Sequence, residues 1–483
     1  MTPTYTSVAA LSTASAATYE YEFDYNHAAM VVVATAVGYI PVVGGMLSGL
    51  VNILWPPTQH DVWAEIEDQV EALVDEKIDN AVWQDVSATL QGLYNVSANY
   101  LNAVHNTPDD TQQIGRDWTY VQNALLEATP QFQRPDWQFL LLPLFAQYVN
   151  LFAATYRDGI DFGAEWDFTQ STIDQLKSDL NSKLLEFETY TMGVYDAQLA
   201  QVESTAPSNS QKTQPFNTIN AFKRQMQLTV LDYVSLWPYY NPYAYPDPAA
   251  VDVRLYREIY SDALGTSDDS PFGLPAESPT KPITHITVWG WDRIDAVKVD
   301  YADGGGPDGE TTTGRMGDSS GGSDAPPHGG SFSIASLGDV NHVKVLSGTI
   351  LNAMWLDFTG GENTGKLGGN YPGGNESNWS FEGEILSSIK IMGVSNYYGS
   401  ADCMVLGFMF KDGKVPPPDG DVARALYVST PAAGSTLSLT ARYGMSEAHA
   451  AVTQERAKDL AWDAEREAFW SRIAAAAAAF QKG

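Results

Sequence analysis

Between Leu140 and Trp166 the chain reads LLLPLFAQYVNLFAATYRDGIDFGAEW. No other stretch constrains the fold as tightly. It begins as a helix apolar on nearly every face and closes on a charged turn, Arg157-Asp158. Such a helix must be buried on all sides, in a large bundle or in lipid. It needs other helices around it, and the chain supplies them. Val62, Ile66, Val70, Leu73, Val74, Ile78, Val82, Leu90 and Leu93 recur at three- and four-residue steps. That period predicts one long amphipathic helix over 58–105, with acidic residues in its first turns where the helix dipole favours them. Further helices are expected over about 109–128, ended by Pro130, over 135–157 for the apolar one, and over 164–202 and 216–237. Upstream, Ala28–Trp55 is charge-free but broken by Gly38, Pro41, Gly44, Gly45 and Gly49. It reads as one or two short buried helices rather than a membrane span. The expected architecture for 1–250 is therefore an α-helical bundle around a central apolar helix.

The remainder changes character. From about 272 to 412, Gly, Asn and Ser turns separate short alternating strands, which predicts an all-β region. It contains an internal repeat. Ile294-Asp-Ala-Val-Lys-Val-Asp-Tyr301 matches Leu351-Asn-Ala-Met-Trp-Leu-Asp-Phe358, and a weaker third copy runs from Ala401 to Phe408. Three similar sheets about an axis make a threefold β-prism, expected over 251–415. Residues 416–483 form an extension in which Trp462, Phe469, Ile473 and Phe480 mark a helix over 446–480, read as packing back on the protein or binding a partner.

Charge and composition narrow the function. The formal net charge of −32 opposes nucleic-acid binding, which needs a basic face, and gives no pull toward anionic lipid. Membrane contact must be hydrophobic or receptor-led. Cys403 is the only cysteine, so no disulfide framework or zinc cluster is expected. The seven His are scattered, and no metal site or cofactor is expected. Gly360 to Lys366 fits GxxxxGK, but Leu367 stands where Ser or Thr would hold magnesium, and the context is strand-rich. No catalytic constellation is visible. The first residues lack a basic n-region, so production as a soluble protein or an intracellular inclusion is expected.

The apolar stretch resembles a signature of the bacterial crystal (Cry) endotoxins, insecticidal pore formers: LLP-x-[YF]-AQ-x-x-NL closing in RD-x-x-x-FG-x-x-W. Leu141, Leu142, Pro143, Phe145, Ala146, Gln147, Asn150, Leu151, Arg157, Asp158, Phe162, Gly163 and Trp166 carry it. A second block, Arg254, Arg257, Glu258, Ile259, Tyr260, Asp262 and Gly265, resembles the family's R-x-x-RE-[IV]-Y-x-D-x-x-G. The resemblance implies a helical pore-forming domain followed by a β-prism, with Arg254 and Arg257 tying the two together. The family's usual third domain is not expected after Pro416-Pro417-Pro418.

The implied mechanism runs in steps. The prism recognises a receptor or glycan on a target-cell membrane. The bundle opens, a hairpin of about 110–157 enters the bilayer, and copies of the chain oligomerise around a pore. Trp137, Phe139, Leu140, Leu141, Leu142, Leu144, Phe145, Val149, Leu151 and Phe152 would meet lipid. Arg116, Asp117, Asn123 and Glu127 would line the lumen. From Trp137 to Tyr156 about 20 residues carry no formal charge, enough to span hydrocarbon as a helix. The repeat copies also resemble the L-D-A-I-G-x-Y strand of jacalin-type lectins, whose G-x-x-x-D loop holds sugar. The nearest matches are Gly348 to Asn352, with Asn for Asp, and Gly399 to Asp402, one residue short. Trp289, Trp291, Tyr397 and Tyr398 lie close by and are candidates for stacking on a sugar. A secreted lectin or adhesin whose helices never insert is the competing expectation.

Overall fold

The computed structural model describes residues 25–36, 43–55, 61–74, 77–207, 213–246, 253–266, 277–369, 373–394 and 401–415. The helix expected over 446–480, and Tyr397, Tyr398 and Gly399, lie outside the described residues.

Helices fill the first half: α1 (Tyr25–Ala36), α2 (Gly45–Leu54), α3 (Val62–Val74), α4 (Asn80–Asn106), α5 (Thr111–Phe132), α6 (Leu142–Phe162), α7 (Gln170–Thr205), α8 (Thr213–Met226) and α9 (Asp232–Leu236). A π-helical segment, Gln227–Leu231, joins the last two. The apolar helix is α6, and every residue from Leu142 to Ile160 is buried. Neighbours α2, α3, α5, α7 and α9 pack around it. An all-round apolar sequence has thus found the one position with no solvent face.

Three sequence expectations about helix limits fail. The helix over 58–105 is two helices, α3 and α4. Lys77 to Asp79 are non-helical, because Asp79 caps α4 by accepting from the Ala81 N–H at 2.8 Å. Glu71 Oε1 also takes the Ile78 N–H at 2.6 Å. Pro130 does not end α5, which continues to Phe132. The apolar helix begins at Leu142 rather than near 135, since Pro143 fits only its first turn. Trp137 to Leu141 form turns before it.

The second half is a β-prism of three four-stranded sheets. In the first, β3 (Ile283–Gly290) pairs with β4 (Ile294–Tyr301), flanked by β5 (Met316–Gly317) and β6 (Gly330–Ser333). In the second, β7 (Val340–Ser347) pairs with β8 (Leu351–Phe358), flanked by β9 (Leu367–Gly368) and β10 (Asn375–Trp379). In the third, β11 (Glu384–Val394) pairs with β12 (Ala401–Phe410), which also takes the short strands β1 (Ile259–Tyr260) and β2 (Leu264–Gly265). The three repeat copies are the equivalent strands β4, β8 and β12. Val297, Met354 and Met404 hold the same register position opposite Val288, Val345 and Ile391, and all three enter one shared core. The third copy is weaker for a physical reason. Strands β4 and β8 keep half-exposed positions near their ends, whereas all ten residues of β12 are buried. Strand β12 carries a second apolar face, Cys403 and Val405, against Phe216 of α8 and Tyr260 of β1. A strand covered on both sides loses its alternation.

Candidate functional site

The site begins with the polar groups of α6, which tie the central helix to its neighbours. Trp118 of α5 donates from Nε1 to the Thr155 carbonyl at 2.8 Å. Its ring lies where a Cβ on Gly159 would stand, with Cζ2 2.2 Å from that point. Tyr148 Oη donates to the Leu125 carbonyl at 2.7 Å and meets Thr129 Oγ1 at 2.6 Å. Asn150 Oδ1 accepts from Trp237 Nε1 at 3.0 Å. At the charged end, Arg157 Nε donates to Asp161 at 2.9 Å, and its other nitrogens reach the Tyr240 and Pro246 carbonyls. Asp158 is fully buried and accepts from Tyr100 Oη at 3.2 Å. Burial pushes the Asp158 carboxyl well above its ordinary range, against the lowering effect of the Tyr100 hydrogen bond. Burial also pushes Tyr156 up to about 12.

These contacts qualify the expected membrane span. Leu140, Leu141, Leu142, Leu144, Phe145, Val149, Leu151 and Phe152 are all buried, while Trp137 and Phe139 are half-buried at the bundle's edge, outside the helix. Among the described residues no helix is long and apolar enough to cross a membrane. Helix α6 has 21 residues, about 31 Å of rise. It falls short in apolarity, since Gln147, Asn150 and Thr155 interrupt it. Helix α5 is amphipathic. Ile114, Trp118, Val121, Leu125 and Phe132 face the core, while Arg116, Asn123 and Glu127 are exposed and Asp117 is half-buried. Tyr120 and Leu126 share that outer side. Sequence reading missed Trp118, Tyr148 and Tyr100, which had no motif to mark them. Their one signal is an aromatic N–H or O–H at a core position, which needs an acceptor.

The junction with the prism centres on Arg257. It makes a fork on Asp232 of α9, with Nε at 3.0 Å and Nη2 at 2.7 Å. Its Nη1 reaches Glu384 of β11 at 2.7 Å. Asn26 of α1 donates to the same Glu384 at 2.8 Å, and Phe410 lies under the guanidinium at 5.0 Å. One side chain thus joins the first helix, the last helix and the prism. Burial works against its charge, but Asp232 and Glu384 outweigh that and hold the guanidinium protonated. Arg254 donates to Tyr256 Oη at 2.9 Å and the Asp412 carbonyl at 3.1 Å. Arg224 of α8, which no motif marked, reaches the Tyr260 carbonyl at 2.8 Å and Asp262 at 3.0 Å.

The candidate recognition residues separate. Trp291, on the β3–β4 turn, is 61% exposed and lies 5.2 Å from the His328 ring. Trp289 is half-buried under Arg315, at 4.4 Å. Asn352 is buried, and its amide donates to the Gly373 carbonyl at 2.6 Å. Asp402 is buried at the start of β12. Asp295, at the equivalent place in the first copy, is also buried, which pushes its carboxyl up to about 6, against the pull of Arg293.

Residues 32–241 match the model of the delta endotoxin N-terminal domain. The pesticidal crystal protein Cry26Aa of Bacillus thuringiensis subsp. finitimus is 31% identical over 267 residues, covering 53% of this chain and 22% of that protein. Cry7Ab of Bacillus thuringiensis serovar kumamotoensis is 29% identical over 228 residues, covering 46% and 19%. The chain thus spans about a fifth of the length of these curated relatives. Among solved structures, the Bacillus thuringiensis insecticidal crystal protein Cry7Ca1 superposes with a TM-score of 0.66 at 20% identity, over 82% of this chain and 76% of that one. PirB superposes with a TM-score of 0.63 at 16% identity, over 81% and 96%. At these identities the superpositions bear on fold alone, and they give both the bundle and the prism.

Proposed function

We propose, from the match of residues 32–241 to the delta endotoxin N-terminal domain, that this chain is a pore-forming toxin of that family, with domain limits near residues 250 and 415. Its prism recognises a receptor or glycan on the target cell, through the turns near Trp289–Trp291, Gly348–Asn352 and Gly399–Asp402. The bundle then opens, the α5–α6 hairpin enters the bilayer, and several copies enclose the pore. The observation that carries the reading is α6: a helix buried from Leu142 to Ile160, beside an amphipathic partner whose outer face bears Arg116, Asn123 and Glu127. A lone α6 would leave Gln147 and Asn150 unpaired in hydrocarbon, which costs several kcal/mol. Insertion as a hairpin within an oligomer lets those groups find partners and turns the α5 charges toward water.

Dye release from liposomes tests this directly. The wild type is expected to release dye. Phe145→Asp or Ala146→Asp, checked for folding by circular dichroism, should lose most of that release, since a carboxylate at the centre of a span costs about 2.5–3.5 kcal/mol on insertion scales. A folded variant that permeabilises at the wild-type dose removes the hairpin from the mechanism, and a wild type that never permeabilises returns the chain to the lectin class.

A further inference from the structure

Between α8 and the second sheet lies a cleft of about 620 Å³, within the ~300–1,000 Å³ range of small-molecule sites. Asn217 of α8 and Asp262 to Gly265 form one side; the β7–β8 turn, Asn352 and the start of β10 form the other. Thr266 Oγ1 donates to the Thr349 carbonyl at 2.6 Å and ties the two sides. Trp379 also lines the cleft and is only 9% exposed. The Arg224 guanidinium sits over its ring at 5.1 Å. The Trp379 Nε1–H meets no acceptor among the described residues.

The lining selects a chemistry. It contains no Lys, Arg or His among the described residues, and Asp262 is its single carboxylate. Arg224, 3.0 Å away, already balances that charge. On a chain with a net charge of −32, a phosphate, sulfate or carboxylate ligand gains nothing here. An apolar ligand would strand the polar side chains of Asn375, Thr349 and Ser377. Groups that both donate and accept suit adjacent hydroxyls.

We infer that this cleft binds a neutral sugar residue, and that the bound sugar bridges the helical domain and the prism. The inference rests on the reading that the prism recognises a glycan, and places the contact where the Gly348–Asn352 turn faces α8 at the domain junction. It also sets a direction. The cleft is complete only while α8 rests on the prism, so its ligand favours the closed molecule and opposes bundle opening.

The test uses the full chain, titrated with the methyl glycosides of mannose, galactose, glucose, N-acetylglucosamine and N-acetylgalactosamine, with inorganic phosphate as control. Calorimetry and saturation-transfer NMR read binding. At least one glycoside is expected to bind and phosphate is not. Thr349→Trp, which fills an exposed position at the mouth, and Asn375→Ala, which removes an exposed amide from the lining, should each weaken binding about tenfold. Saturating glycoside should lower the dye-release rate. Binding lost in Trp291→Ala but kept in Thr349→Trp overturns the cleft and leaves recognition by the Trp289–Trp291 turn standing. No glycoside binding alongside normal dye release overturns the cleft and the glycan, not the pore. Unchanged or faster release with sugar bound overturns the bridging.

Discussion

Gly159 shows how much one hydrogen atom decides in the core. Trp118 occupies the volume of the missing side chain, and its indole N–H reaches the Thr155 carbonyl one turn earlier. Gly159→Ala is therefore expected to destabilise by about 1–3 kcal/mol through overpacking, although alanine favours a helix; urea unfolding followed by tryptophan fluorescence measures it. Glu67 tests electrostatics at the same scale. Burial, then the nearby Glu71, Asp68 and Asp61 carboxylates, push its pKa from an ordinary 4.5 up to about 7. The folded state holds that proton more tightly than the unfolded chain, so stability falls as pH climbs from 4.5 through about 7, and the loss persists above. Glu67→Gln should raise the unfolding midpoint at pH 8 and leave it unchanged at pH 4, as read by thermal melts at both values.

At the scale of the element, α6 and the repeat strands were legible in the sequence because each has one dominant environment. A helix apolar all round has nowhere to sit but the centre, and strands repeating at steps of 57 and 50 residues must be equivalent. The break between α3 and α4 was not legible, since apolar residues continue in helical phase across it: Val70, Ile78 and Val82 all pack in the bundle. Only the Asp79 cap gives it away. Asp79→Ala is expected to cost about 1 kcal/mol, measurable in urea. Pro130 misled for the opposite reason. It sits near the end of α5, and the carbonyl its missing N–H leaves free is that of Leu126, a residue exposed on the helix's outer side, so a residue that usually stops helices is absorbed. The cleft beside α8 was illegible because its sides come from residues more than eighty positions apart in the chain.

For the whole molecule, Arg257 is the point at which helices and prism become one cooperative body. Removing its charge leaves Asp232 and Glu384 buried together without a cation. Arg257→Met should therefore cost about 3–5 kcal/mol and split urea unfolding into two transitions, one for each half. The gap between α3 and α4 carries a different consequence. No Lys or Arg precedes Lys77 in the sequence, and Lys77 is exposed in non-helical backbone between two helices. Trypsin should hydrolyse the bond after it while sparing helical sites, giving a fragment that ends at Lys77 and can be identified by mass after denaturation. Yet Val32, Leu47, Leu50, Ile66 and Val70 of that fragment are buried in the common core. The cut protein should still elute as a single species on a sizing column. Proteolysis would convert one polypeptide into a non-covalent pair, and separation of the pair would become an ordinary dissociation equilibrium, governed by dilution and denaturant rather than by the protease.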